Sequence, residues 1–304
     1  MFGSDKAFDV EHALIMYAED YVYLPAAGIY DDKALAGLID RIRKCHIYMV
    51  GFSPRVDFEG ASQDGRELVC HLKMLGDTHD VRFPLPEGAD LHIENVDGRD
   101  YWRLEDQAGR RFFPSEDQIQ TRLSLTGKVY FEVQYIGQAY GKSGSRNALD
   151  RLRKHETVQK IAVQGVPEGH SLQVVMLKVV PTTRMLTMFN PRAKDISQGD
   201  GRIKLGLDKL FNTDEAERTT LYEASLIRHF EPKYNKSFKD SFPSTNLKVL
   251  QDCYEKDFSA VIAEVCFDNM PIVFKSEKSP SQKSVMAVHN LHAAEDRAVF
   301  FGFD

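Results

Sequence analysis

The sequence predicts an α+β protein, and two observations carry that reading. Short apolar runs rich in Val, Ile, Phe and Tyr recur along the chain, separated by Gly, Asp and Pro as turns require. Other segments place apolar residues at i, i+3, i+4 and i+7, the spacing of one helix face. Charge is also divided unevenly. The chain of 304 residues has a formal net charge of −6, but residues 1–116 hold 13 Lys+Arg against 22 Asp+Glu, residues 117–240 hold 20 against 14, and residues 241–304 hold 6 against 9. A basic middle between acidic flanks suits a chain whose central part meets phosphate.

The first 45 or so residues read as helical: Asp31 or Asp32 can cap a helix in which Leu35, Leu38, Ile39, Ile42 and Cys45 share a face. Strand-like runs follow at 46–52, 67–75, 89–96 and 111–114. RLSL, Thr126-Gly127 and KVYFEVQYIG then read as a β-hairpin. The loop YGKSGSR (140–146) leads into a helix over 147–161, with Leu149, Leu152 and Ile161 as its apolar positions. SLQVVMLKVV (171–180) is a strand, 181–209 a basic loop, and a helix runs from Asn212 or Thr213 to about Phe230. The tail from 241 looks helical at NLKVLQDCYEKDFSAVIAEV and carries a polar linker at 275–284. Three consecutive domains are expected: 1–116, 117–240 and 241–304.

No apolar run approaches the ~18 residues of a membrane span. The N-terminus has no apolar stretch after a basic start, so it does not read as a signal peptide. The four cysteines stand far apart without a CxxC pair, which argues against a zinc site and a disulfide framework. A cytoplasmic protein is the expectation.

The chemistry concentrates in the middle segment. Glu223 shares a helix face with Leu226, Ile227 and Phe230, so a carboxylate faces inward. A buried carboxylate needs a cation, a metal or a strong donor, and spacing alone suits an arginine partner as well as a metal. Arg151 and His155, four apart on one expected helix, are placed to grip a phosphate or to form part of a solvated charged face.

Read in order, Tyr135-Ile136-Gly137, the R-x-x-x-H of 151–155 and EASLIRHFEPKYN (223–235) resemble the GIY-YIG nuclease family. The resemblance covers roughly residues 119–240, about two fifths of the chain. It implies a small antiparallel sheet flanked by helices and a hydrolase that cuts phosphodiester bonds in DNA. Glu223 would hold one divalent metal, Mg²⁺ or a substitute such as Mn²⁺, which favours oxygen ligands and retained waters. Arg151 would contact the phosphate, Tyr135 orient water or phosphate, and His155 move a proton or bind phosphate. Asn235 would hold local geometry or a phosphate oxygen. Lys142, Arg146, Arg153 and Lys154 would follow the nucleic-acid strand.

The family's first tyrosine belongs on the strand before the YIG strand, where RLSL has none. Tyr130 takes the role if a bulge at 131–134 turns it to the face of Tyr135. Tyr101 would serve across a long insertion, and Tyr30 in the literal Gly28-Ile29-Tyr30 stands before a helix cap. Restriction or anti-phage defence is the expected setting. The contrasting expectation is a nucleic-acid-binding or assembly subunit with the same fold that is inactive or needs a partner, its acidic N-terminal domain docking a basic protein or the basic middle. No reader motif separates DNA from RNA, and a homodimer would explain double-strand cuts.

Overall fold

The structure, a computed structural model, describes residues 7–139, 148–180, 182–244 and 246–292. In chain order the elements are β1 (Val10–Pro25), a 3-10 turn (Ala26–Tyr30), α1 (Asp32–Leu35), α2 (Ile39–Ile42), β2 (Ile47–Pro54), β3 (Val56–Asp64), β4 (Glu67–Met74), β5 (Asp77–Pro84), β6 (Ala89–Val96), β7 (Arg99–Asp106), β8 (Arg111–Phe112) and α3 (Glu116–Ser124). They continue with β9 (Tyr130–Gln138), α4 (Ala148–Leu152), α5 (Glu156–Gln164), β10 (His170–Val179), β11 (Arg184–Phe189), α6 (Gly199–Asn212), α7 (Glu215–Phe230), α8 (Lys248–Glu255), β12 (Ala260–Val265), β13 (Val273–Lys275) and β14 (Val285–Asn290). The α+β class is as expected.

One eight-stranded sheet organises the chain, in the order β13-β9-β2-β10-β1-β12-β14, with β11 also paired to β1. The long β1 makes this width possible. Its first half pairs with β11 and, in parallel, with β12, while its second half pairs with β10. One face of the sheet, with Leu14, Met49, Phe131, Val133 and Val261, buries Leu221, Leu226 and Ile227 of α7. The opposite face, with Tyr48, Val50 and Val174, buries Leu149 and Leu152 of α4 and Val158 and Ile161 of α5.

The expected division into 1–116, 117–240 and 241–304 does not hold. β1 and β2, β9 to β11, and β12 to β14 come from the three stretches in turn and share one sheet. The acidic N-terminal stretch therefore supplies two strands of the main sheet, β1 and β2, and is not a domain apart as a whole. What stands apart is the segment between β2 and β9, which forms two three-stranded antiparallel sheets, β3-β4-β5 and β6-β7-β8, followed by α3.

Local expectations fail for identifiable reasons. Residues 10–25 form a strand, not a helix. Its first residues, Val10–Leu14, are buried on both faces and so lose the polar-apolar alternation that marks strands. RLSL is helical, because Ser115 and Gln118 form a reciprocal capping box and Ile119 and Leu123 lie one turn apart and are buried. The hairpin partner of the YIG strand is thus β2, not RLSL. The stretch 181–209 holds β11 and most of α6, and two of its basic residues form ion pairs: Arg202 with Asp257 at 2.5 Å, and buried Lys209 with Glu217 and Asp252. SAVIAEV forms β12 rather than prolonging α8. Asp31 does cap α1, accepting from the Lys33 and Ala34 amides, although the helical run from it breaks into two short pieces.

Candidate active site

The site forms where β9 lies between β2 and the end of α7. β2 and β9 run antiparallel, with Tyr48 opposite Gly137 and Val50 opposite Tyr135. The next pair is Gly51 with Val133, so Gln134 is an extra, bulged residue. The bulge resets the alternation: Phe131, Val133 and Ile136 all join the core on the α7 side, while Tyr135 packs on the side of α4 and α5. Tyr130 thereby faces the same way as Tyr135, as a bulge at 131–134 allows, but it stands roughly 15 Å further along the strand. There its hydroxyl meets His170 Nε2 at 2.7 Å, and Lys275 Nζ lies 3.4 Å from its ring centre. Tyr130 is not part of the cluster around Tyr135.

The tyrosine that does join is Tyr48, on the strand paired directly with the YIG strand. It is 1 % exposed. Its ring centre lies 6.1 Å from that of Tyr135 and 6.1 Å from that of His155, and the Tyr135 and His155 rings are 5.1 Å apart. The glycine of Tyr135-Ile136-Gly137 is required by this packing. A Cβ at 137 would lie 2.6 Å from Tyr48 Oη, 2.7 Å from its Cζ and 3.0 Å from Tyr135 Cε1.

His155 and Arg151 reach the cluster differently from expectation. The helix expected over 147–161 is broken into α4 and α5, and His155 is the N-cap of α5, in extended conformation, with its Nδ1 accepting the Thr157 amide at 3.2 Å. With Nδ1 an acceptor, the neutral ring carries its proton on Nε2, which donates to Tyr135 Oη at 3.2 Å. Burial, then the positive Arg151, hold the His155 pKa below the usual histidine value, which keeps the ring neutral. Arg151, at the end of α4, bonds the Tyr48 hydroxyl and acts electrostatically on Tyr135, His155 and Glu223. Burial pushes the Tyr48 and Tyr135 hydroxyls above the ordinary tyrosine pKa, and Arg151 opposes that rise at both.

Glu223 approaches from α7. That helix starts at an Asp214 cap with Glu215 and Glu217 in its first turn, a favourable end for acidic residues. As the periodicity predicts, Glu223 is buried with Leu226, Ile227 and Phe230. It is 9 % exposed, and burial raises its carboxyl to about 7, against the downward pull of the Gln138 backbone N–H and Arg151. Its negative charge is felt at both Tyr48 and Tyr135.

Asn235 has a structural assignment. Its Oδ1 accepts the Ile136 amide at 2.9 Å and its Nδ2 donates to the Ile136 carbonyl at 2.8 Å. Beside it the Tyr234 amide donates to the Gln134 carbonyl at 3.1 Å. Asn235 and Glu223 thus satisfy the outer edge of β9 at Ile136 and Gln138, where a further strand would otherwise be needed. Asn235→Ala should cost about 2–4 kcal/mol, since two buried backbone groups lose their partners. Urea unfolding measures this, and unchanged stability would mean that the amide is there for phosphate alone.

Among the expected strand-following cations, Arg153 is already engaged, donating to the Ile29 carbonyl at 2.7 Å and to Asp32 at 2.7 Å. It anchors α4 to the 3-10 turn instead of facing a ligand. Lys154 is exposed. Lys142 and Arg146 lie outside the described residues.

Among the described residues no group of three or more His, Cys, Asp or Glu side chains is placed to hold a metal ion. A single-carboxylate centre is a different matter. Glu223 is buried, and neither the Gln138 amide nor Arg151 offsets the cost of its charge. An oxygen-preferring divalent cation that keeps most of its waters fits such a group. No described helix is long and apolar enough to cross a membrane. Comparison of the chain with models of known protein families, with curated proteins and with solved structures finds no match.

Proposed function

We propose that the chain is a divalent-metal-dependent endonuclease of the GIY-YIG type that hydrolyses phosphodiester bonds in DNA. The observation that carries this reading is the meeting of Tyr48, Tyr135, Arg151, His155 and Glu223, drawn from β2, β9, α4, the α5 cap and α7, around one buried carboxylate. A structural ion pair would need only Arg151 and Glu223. Two tyrosine hydroxyls and a neutral histidine in the same cluster add positioned donors and acceptors.

Glu223 would hold Mg²⁺ or Mn²⁺, which would supply Lewis-acid polarisation of the scissile phosphate and stabilisation of the leaving oxygen. The chain's own groups do the rest. Arg151 holds a phosphate oxygen and stabilises the charge that develops on it. Tyr135 accepts the His155 Nε2 proton, so its own proton is free to bond water or phosphate. Tyr48, protonated at neutral pH like any tyrosine and the more so for its burial, orients the attacking water through its hydroxyl, which Arg151 holds in place. The alternative of an inactive assembly subunit was motivated by a missing first tyrosine and a separate acidic docking domain. Tyr48, on the strand paired with the YIG strand, supports the enzyme reading by offering a candidate for that first tyrosine.

Nicking of supercoiled plasmid in Mg²⁺ tests the assignment. Tyr48→Phe should lower the rate about a hundredfold or more, and Tyr130→Phe should leave it near wild type. Full activity in Tyr48→Phe, or loss confined to Tyr130→Phe, would reverse the two tyrosines.

A further inference from the structure

Between the start of β3 and the start of α3, in the segment inserted between β2 and β9, lies an open cavity of about 470 Å³ lined by Asp57, Phe58, Phe113 and Glu116 over Leu72 and Ile119. Its size falls in the range of ordinary ligand pockets. The two phenylalanines stand perpendicular, 86° between ring planes and 5.9 Å between centres. Both are unusually open for phenylalanine, at 41 % and 38 % exposed. Their arrangement is held from behind: Trp102 packs edge-on to Phe58 at 5.2 Å, and a Cβ at Gly60 would come within 2.9 Å of the Trp102 ring, so only glycine lets the indole lie there.

Asp57 and Glu116 at the rim are exposed, and among the described residues neither is in an ion pair. Lys73 stands opposite Asp57 in the β3-β4 ladder, but its ammonium is paired with Glu59 at 3.5 Å. The inserted residues 55–128 as a whole hold 10 Lys+Arg against 15 Asp+Glu. Perpendicular aromatic faces with carboxylates beside them attract a cation that also has apolar surface: ring quadrupoles favour positive charge and the acids add to it. The same negative rim disfavours a phosphate strand.

We propose that this pocket binds a guanidinium or alkylammonium side chain presented by a peptide segment of a partner protein. The inserted segment is then a protein-docking arm on the sheet that carries the candidate active site. The inference stands on the pocket alone and does not depend on nuclease activity.

The chain has one tryptophan, and it touches Phe58, so Trp102 fluorescence reports occupancy directly. N-acetyl-arginine amide titrated into the full chain should change the emission saturably. Its neutral isostere, N-acetyl-citrulline amide, should bind at least about tenfold more weakly. Phe113→Ala and the pair Asp57→Asn with Glu116→Gln should each abolish the response while circular dichroism stays native. A short arginine-containing peptide should bind more tightly than the free derivative. Equal responses to arginine and citrulline derivatives, or a response that survives both variants, would overturn the cation site. Equal affinity of peptide and free derivative would overturn the peptide partner in favour of a small cation.

Discussion

Glu223→Gln should abolish Mg²⁺-dependent cleavage, by about a thousandfold or more, and at the same time make the metal-free protein more stable at alkaline pH. The two effects share one cause. Burial raises the Glu223 carboxyl from 4.5 to about 7. Between those values the folded protein keeps a proton that the unfolded chain has lost. The contribution of this group to stability therefore falls as pH rises from about 4.5 to about 7 and levels off above it, where the folded state holds an uncompensated carboxylate. The whole effect is at most about 3 kcal/mol. Glutamine cannot ionise, so the variant lacks this contribution. Urea unfolding with a chelator at pH 5 and pH 8 should show the wild type losing stability relative to the variant across that window. His12, His155, His229 and His289, whose pKa values burial lowers, add the same opposite slope to both. Saturating Mg²⁺ should raise the stability of the wild type at pH 8 and not that of the variant. A Glu223→Gln protein less stable than wild type at pH 8 would mean that Arg151 already neutralises the carboxylate, and the group would be half of an ordinary ion pair.

Gly137→Ala should damage activity more than stability. The added methyl falls 2.6 Å from Tyr48 Oη and 3.0 Å from the Tyr135 ring. Tyr48 is fully buried, so its ring has no open space to enter. Overpacking of this kind costs about 1–3 kcal/mol. The larger effect falls on activity: moving either hydroxyl by about 1 Å should lower the cleavage rate on the order of a hundredfold. Gly201 in α6 is the matched control, because a Cβ there meets nothing within 4 Å. Gly201→Ala should keep full activity and gain a little helix stability. Melting temperature and plasmid nicking separate the outcomes. Near-wild-type cutting by Gly137→Ala would detach Tyr48 from the chemistry.

The parts of the site that could be read from sequence are those set by local geometry. Glu223 faces inward because Leu226, Ile227 and Phe230 share its helix face, and no distant partner is needed to see it. Tyr48 could not be found in this way. HIYMVGF reads as a strand, but only pairing shows that Tyr48 lies opposite Gly137, across an insertion with six strands and a helix of its own. A search for the partner strand next to Tyr135 in sequence therefore reached RLSL and Tyr130.

The break between α4 and α5 was hidden for a related reason. His155 leaves the helix to cap the next one, a choice made by the imidazole and the Thr157 amide, not by apolar spacing. Asn235 was ambiguous because its partners are the backbone groups of Ile136, 99 residues earlier. The first residues of β1, Val10–Leu14, are buried on both faces, so period two is invisible there. Local signals located the helix and the carboxylate, and sheet pairing supplied the tyrosine and the edge that complete the cluster.

The central claim is that these residues form one metal-assisted phosphodiesterase site at the edge of β9. Anomalous diffraction from crystals of the Tyr48→Phe protein grown with Mn²⁺ and a short DNA duplex tests it most directly. The expected result is a manganese peak at coordination distance, about 2.1 Å, from a Glu223 carboxylate oxygen, with a backbone phosphate against both the ion and Arg151. Manganese bound elsewhere with Glu223 bare, or DNA seated on a surface that does not include Arg151, would contradict it.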